Sequence, residues 1–119
     1  MVKTLVEPKK TIISSIRSKL LTMGLEEEVE YDSINIEPVL IYSFSGDRRV
    51  FVKHKWETVA LVRLSSREDA QKIISETNIH FDIEENDQDG TIWARFLLPK
   101  EEDAALDILS RATADSKRN

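Results

Sequence analysis

Val39-Leu-Ile-Tyr-Ser-Phe-Ser-Gly-Asp-Arg-Arg-Val-Phe-Val-Lys-His-Lys-Trp56 is the stretch on which the fold turns. Pro38 opens an apolar run, Val39 to Phe44, rich in β-branched and aromatic residues that favour strand. The residue before a proline is also pushed out of the helical region. Ser45-Gly-Asp-Arg48 supplies the small and polar residues of a tight turn. The return, Val50 to Trp56, alternates: Val50, Val52, His54 and Trp56 share one side, and Phe51, Lys53 and Lys55 share the other. The pattern predicts a hairpin with one apolar and one basic face.

Before the hairpin, residues 8–23 read as an amphipathic helix, with Ile12, Ile16, Leu20 and Met23 at helical spacing and Ile13 and Leu21 widening the stripe. Pro8 suits its first turn, and Gly24 with Leu25 suits a left-handed stop. Glu26 to Asp32 is acidic, and a short strand is possible there because Val29 and Tyr31 alternate. After the hairpin, Thr58 to Leu64 is apolar on both faces except at Arg63, which places it inside a sheet.

Ser65-Ser-Arg-Glu68 reads as a capping box, with Ser65 as the cap of a helix that buries Ala70, Ile73 and Ile74 and ends at Asn78. Ile79 to Ile83 and Thr91 to Leu98 alternate about the turn Asn86–Gly90. A last helix follows Pro99. Glu101, Glu102 and Asp103 stand at the positive end of its dipole, and Ala105, Leu106, Leu109 and Ala112 form its stripe.

The expected fold is therefore α+β: an antiparallel sheet of about five strands packed against helices, in the order α-β-β-β-α-β-β-α. A chain of 119 residues fits one domain, 1–113, with 114–119 as a frayed tail. The element order, with the acidic composition, resembles that of small acidic secretion-chaperone-like domains. That resemblance rests on order and composition rather than on a shared motif, and it implies a dimeric α+β sandwich.

Composition removes several function classes. The chain has no cysteine, which excludes disulfides, thiolate metal sites, iron–sulfur clusters and a cysteine nucleophile, and points to a reducing compartment. The N-terminal residues lack an apolar signal region, and no apolar run approaches the ~20 residues of a membrane helix. A soluble cytoplasmic protein with no membrane partner is expected. The net charge of −5 argues against a dedicated duplex-DNA binder. The charge is nevertheless partitioned: residues 25–47 carry seven acids and no base, whereas 48–67 carry six bases and one acid.

Catalytic and metal signatures fail individually. Glu85-Asn-Asp-Gln-Asp-Gly-Thr-Ile92 starts like a calcium loop, but its twelfth position is Phe96 where a bidentate Glu is needed. His54 and His80 are the only histidines, with no chelating spacing. His54 reads as a hydrogen-bonded histidine at the edge of the core and His80 as solvent-facing. No nucleophile elbow and no glycine-rich phosphate loop occur. No catalytic residue, metal or cofactor is expected.

Two residue sets remain. Arg48, Arg49, Lys53 and Lys55 surround Phe51, an arrangement suited to single-stranded nucleic acid or another anion. Arg49-Val-Phe-Val-Lys53 resembles part of an RNA-recognition strand but lacks its glycine and further aromatics. The plainer alternative is an exposed sheet face whose lysines oppose edge pairing. Trp93, Arg95 and Leu97 lie on the outward side of their strand if helices cover the Ile92 side, and they suit an interface. The leading expectation is a non-enzymatic interaction domain that binds a protein partner or itself, as a homodimer, through a sheet face or edge. The alternatives are an anion or single-strand binder, and a small-molecule enzyme using His54 as proton shuttle.

Overall fold

The computed structural model describes residues 7–31, 38–54 and 57–118. The elements run α1 Glu7–Thr22, β1 Glu26–Glu30, β2 Val39–Phe44, β3 Asp47–His54, β4 Thr58–Leu64, α2 Arg67–Thr77, β5 Asp82–Glu85, β6 Ile92–Leu97 and α3 Glu102–Arg118. The fold is α+β. Among the described residues there is one antiparallel sheet, in the strand order β1-β2-β3-β4-β6-β5. It has six strands rather than about five, because the acidic stretch forms β1 along the edge of β2. The helical backbone of α3 continues past residue 113 to Arg118.

The hairpin forms as its alternation requires. Ser45 and Gly46 both have positive φ (52° and 85°), which is the backbone of a two-residue type I′ turn and matches the twist of the flanking strands. Leu40, Tyr42, Val50 and Val52 turn one way, together with Ala60, Val62 and Leu64 of β4 and Ile92, Ala94 and Phe96 of β6. These residues form one core with Ile13, Ile16 and Leu20 of α1, Ala70 and Ile73 of α2, and Ala105, Ile108 and Leu109 of α3. Every buried apolar residue described on a helix thus belongs to the same side of the sheet. Each large aliphatic chain so buried contributes about 1.5–3 kcal/mol.

Local details depart from the sequence reading in several places. The cap of α2 is Ser66, not Ser65: the Ser66 hydroxyl accepts from the Asp69 amide at 3.0 Å. The one-residue shift leaves Ala70 and Ile73 facing the core. In α1, Leu21 is exposed while Ile13 is buried, so the stripe is narrower; the Ile12 side chain lies outside the described residues. In α3, Ile108 is fully buried and Leu106 only partly, because the three-and-four spacing runs Ala105, Ile108, Leu109.

The helix stops behave as read. Gly24, at φ +91°, lets the Leu25 amide reach back to the Leu20 carbonyl, and Leu25 is buried. Asn78 is left-handed, and its amide donates to the Ile74 carbonyl. Strand β5 begins only at Asp82, since Ile79 and Phe81 pack on the core as part of the connection from α2.

Candidate functional site

The sheet register fixes what lies on the face opposite the helices. Three rows cross it, each starting at a glutamate of β1. The first runs Glu30, Val39, then Lys53, Val59, Leu97, one step beyond the Leu40–Val52 pair; the second runs Glu28, Ile41, Phe51, Leu61, Arg95, Asp82. The third runs Glu26, Ser43, Arg48, then Arg63, Trp93, Glu84, with a register shift between Tyr42 and Ser43 that adds Arg49. The hairpin set and the Trp93 set, read separately from sequence, therefore share one surface. Lys55 lies outside the described residues, as does Trp56.

The centre of this surface is apolar and close-packed. Phe51 and Trp93 meet edge to face, with centroids 5.1 Å apart. Trp93 is only 8% exposed, so it does not project outward as expected, even though it lies on the helix-free face. Its indole N–H donates to the Thr91 hydroxyl at 2.8 Å, which anchors its polar end. Leu61 is similarly covered, and Phe51, Val59 and Leu97 are half-buried. A shallow open depression of about 130 Å³ lies between Phe51, Leu61 and Trp93, with Lys53 and Glu84 on its rim.

Electrostatics modify the expected basic face. Arg48 stands 3.9 Å from Glu28 and 3.8 Å from Glu30, across from β1. Arg49 pairs with Asp47 at 3.4 Å and its side chain is only 15% exposed, so it is not a cation projected into solvent. Arg95 lies 3.4 Å from Glu57 and 3.8 Å from Glu84. Lys53 has no acid at ion-pair distance among the described residues; its ammonium sits 5.9 Å from the Phe51 ring centroid, and Arg48 sits 6.0 Å from the same ring. The surface is thus an aromatic centre with cations, bordered by acids on both outer strands. The β1 acids escaped the sequence reading because a run of glutamates looks the same solvated or in a strand. Their spacing at 26, 28 and 30, one face of a strand, was the available signal.

The remaining polar constellations have partners within the fold. Tyr42, fully buried, donates to Glu27 at 2.7 Å, and Arg17 forks onto the same carboxylate at 2.6 and 2.9 Å. The Arg17 hydrogen bonds hold the Glu27 carboxyl below its ordinary range. Burial first, and then the hydrogen bond to Glu27 and its charge, pushes the Tyr42 phenol well above its own. Glu102, 8% exposed at the start of α3, accepts from Lys19 at 2.7 Å and Ser15 at 2.9 Å, tying α3 to α1. His54 is half-buried with Nδ1 2.8 Å from the Thr58 hydroxyl, as a histidine at the core edge should be, and His80 is exposed. In the Asn86–Gly90 turn, the Asn86 and Asp89 side-chain oxygens accept from the Gln88 and Thr91 amides. Among the described residues no group of three His, Cys, Asp or Glu is placed to hold a metal.

The order of elements departs from the secretion-chaperone-like pattern by one further strand before α2. Comparison with protein-family models, with curated proteins and with solved structures finds no match to this chain.

Proposed function

We propose that this chain is a small cytoplasmic, non-enzymatic interaction domain that self-associates through the helix-free face of its sheet. One observation carries the reading: Phe51, Val59, Leu61, Trp93 and Leu97 form an apolar centre on a face that, among the described residues, no buried helix residue covers, ringed by charges of both signs. An apolar centre inside a polar rim is the anatomy of a protein interface. The face is favoured over the edges because both outer strands are acidic, β1 as Glu-Glu-Glu-Val-Glu and β5 as Asp-Ile-Glu-Glu. Like-charged edges oppose strand-to-strand pairing. Among the described residues no helix is long and apolar enough to cross a membrane, and the cysteine-free composition suits the cytoplasm.

The anion-binding alternative is weaker because acids already neighbour Arg48, Arg49 and Arg95. Phosphate binding along a strand needs a track of cations, and among the described residues of this face only Lys53 and Arg63 have no acid at ion-pair distance. The His54 alternative is weaker because the half-buried imidazole is engaged with the Thr58 hydroxyl at the edge of the core.

Sedimentation velocity across a concentration series tests the proposal. A wild-type dimer is expected, and Val59→Glu should return it to monomer with its circular dichroism unchanged. A wild-type protein that stays monomeric to millimolar concentration overturns the reading.

A further inference from the structure

The charge layout restricts how two copies can meet, and this inference rests on the self-association reading above. Going across the helix-free face, the outer strands β1 and β5 present acids, while the inner strands β3, β4 and β6 present Lys53, Arg63 and Arg95. Sheets stacked face to face keep their strands roughly aligned. In that arrangement a two-fold axis lying in the interface runs either across the strands or along them.

An axis across the strands lays each strand on its own copy: glutamates of β1 on glutamates, cations on cations. An axis along the strands through the middle of the sheet, between β3 and β4, lays β1 on β5 and β3 on β4. That again opposes acid to acid and cation to cation. An axis along β2 lays β1 over β3, but Arg48 already lies near Glu28 and Glu30 of its own chain, and the residues brought together, Val39 and Ile41, are already buried.

The order β3-β4-β6-β5 offers a placement that opposes unlike charges and joins apolar residues on strands not already covered. We propose that the two copies stack about a two-fold axis running along the strands between β4 and β6, so that Lys53 of each meets Asp82 of the other. This axis lays β3 over β5 and β4 over β6 simultaneously. The Lys53 ammonium lies over the Phe51 ring, which puts it in the row Phe51, Leu61, Arg95, Asp82. The partner's Asp82 occupies that same row on the strand that comes to lie opposite. Neither residue has an ion-pair partner among the described residues of its own chain. In the neighbouring rows, Val59 falls against the partner's Leu97 and Arg63 against the partner's Trp93, an apolar pair and a cation over an indole.

The contact is isologous, so each pair occurs twice. Four strands ~4.8 Å apart and about six residues long make a patch of roughly 400 Å² in projection. That is smaller than the ~800 Å² per partner of a standard interface, so the dimer belongs to the weak class and is measured at high concentration.

A charge-swap experiment tests this placement. Lys53→Glu and Asp82→Lys, each checked for folding by circular dichroism, should each raise the dimer dissociation constant about tenfold or more. An equimolar mixture of the two variants should recover wild-type association, because both charge pairs of the mixed dimer are then attractive. Two results overturn the placement while leaving the face as the interface: a wild-type dimer unchanged by both substitutions, or a Lys53→Glu defect rescued by Glu28→Lys and not by Asp82→Lys. A monomeric wild type overturns the reading beneath it.

Discussion

Glu27 shows how much one side chain decides. It alternates with Glu26 and Glu28, yet it alone points to the helix side, where it accepts from Tyr42 and from both donating nitrogens of Arg17. Its folded carboxyl titrates below the unfolded value of ~4.3. Its stabilisation is therefore whole above about pH 4.3 and is lost as pH falls through the lower folded value. Glu27→Gln should cost about 1–2 kcal/mol at pH 7, toward the lower range for a charged acceptor because Arg17 is half exposed and water screens it. Between pH 5 and 3 the variant should lose less stability than the wild type. Urea denaturation at the two ends of that range gives both numbers, and parallel loss would show that Glu27 is not the titrating group. The spacing at 26, 28 and 30 was legible as a strand face, but the role of Glu27 was not, because Tyr42 and Arg17 are 15 and 10 residues away from it.

At the scale of elements, the helix boundaries were readable because caps and stops are local chemistry. Gly24 and Asn78 needed no tertiary knowledge: left-handed backbone selects them wherever they fall. The start of α2 shows the limit of local reading. Two adjacent serines offer the same hydroxyl, and the choice of Ser66 follows from which register turns Ala70 and Ile73 into the core. Ser66→Ala should therefore cost about 1 kcal/mol and Ser65→Ala close to nothing. Chemical denaturation of the two variants side by side checks this, and the reverse ranking would return the cap to Ser65. One position in the stripe of α3 was misassigned for a related reason, since Ala105 and Leu109 are buried as read. Leu106 and Ile108 are equally apolar, and only the direction from which β4 and β6 meet the helix makes Ile108 the buried one.

For the whole molecule, acids line both outer strands of an open sheet, where like charge opposes pairing with the edge of another sheet. Replacing Glu26, Glu28 and Glu30 with threonine should leave the core intact, since none of them faces it, and should speed aggregation on warming. Light scattering during a thermal ramp reads the effect, and an unchanged onset would remove the protective role. The sequence by itself determined the fold class, the two hairpins, most of the core and the alternation that sets Phe51 and Lys53 apart from Val50 and Val52. These follow from periodicity and turn residues within a few positions of one another. Only the tertiary structure decided that Phe51, Leu61 and Trp93 share one surface, that Trp93 is covered there, and that Arg48 and Arg95 stand among acids. Those outcomes depend on which strands become neighbours: β6 inserts beside β4, and β1 closes the far edge. Strand order is a long-range choice made by how the whole core closes.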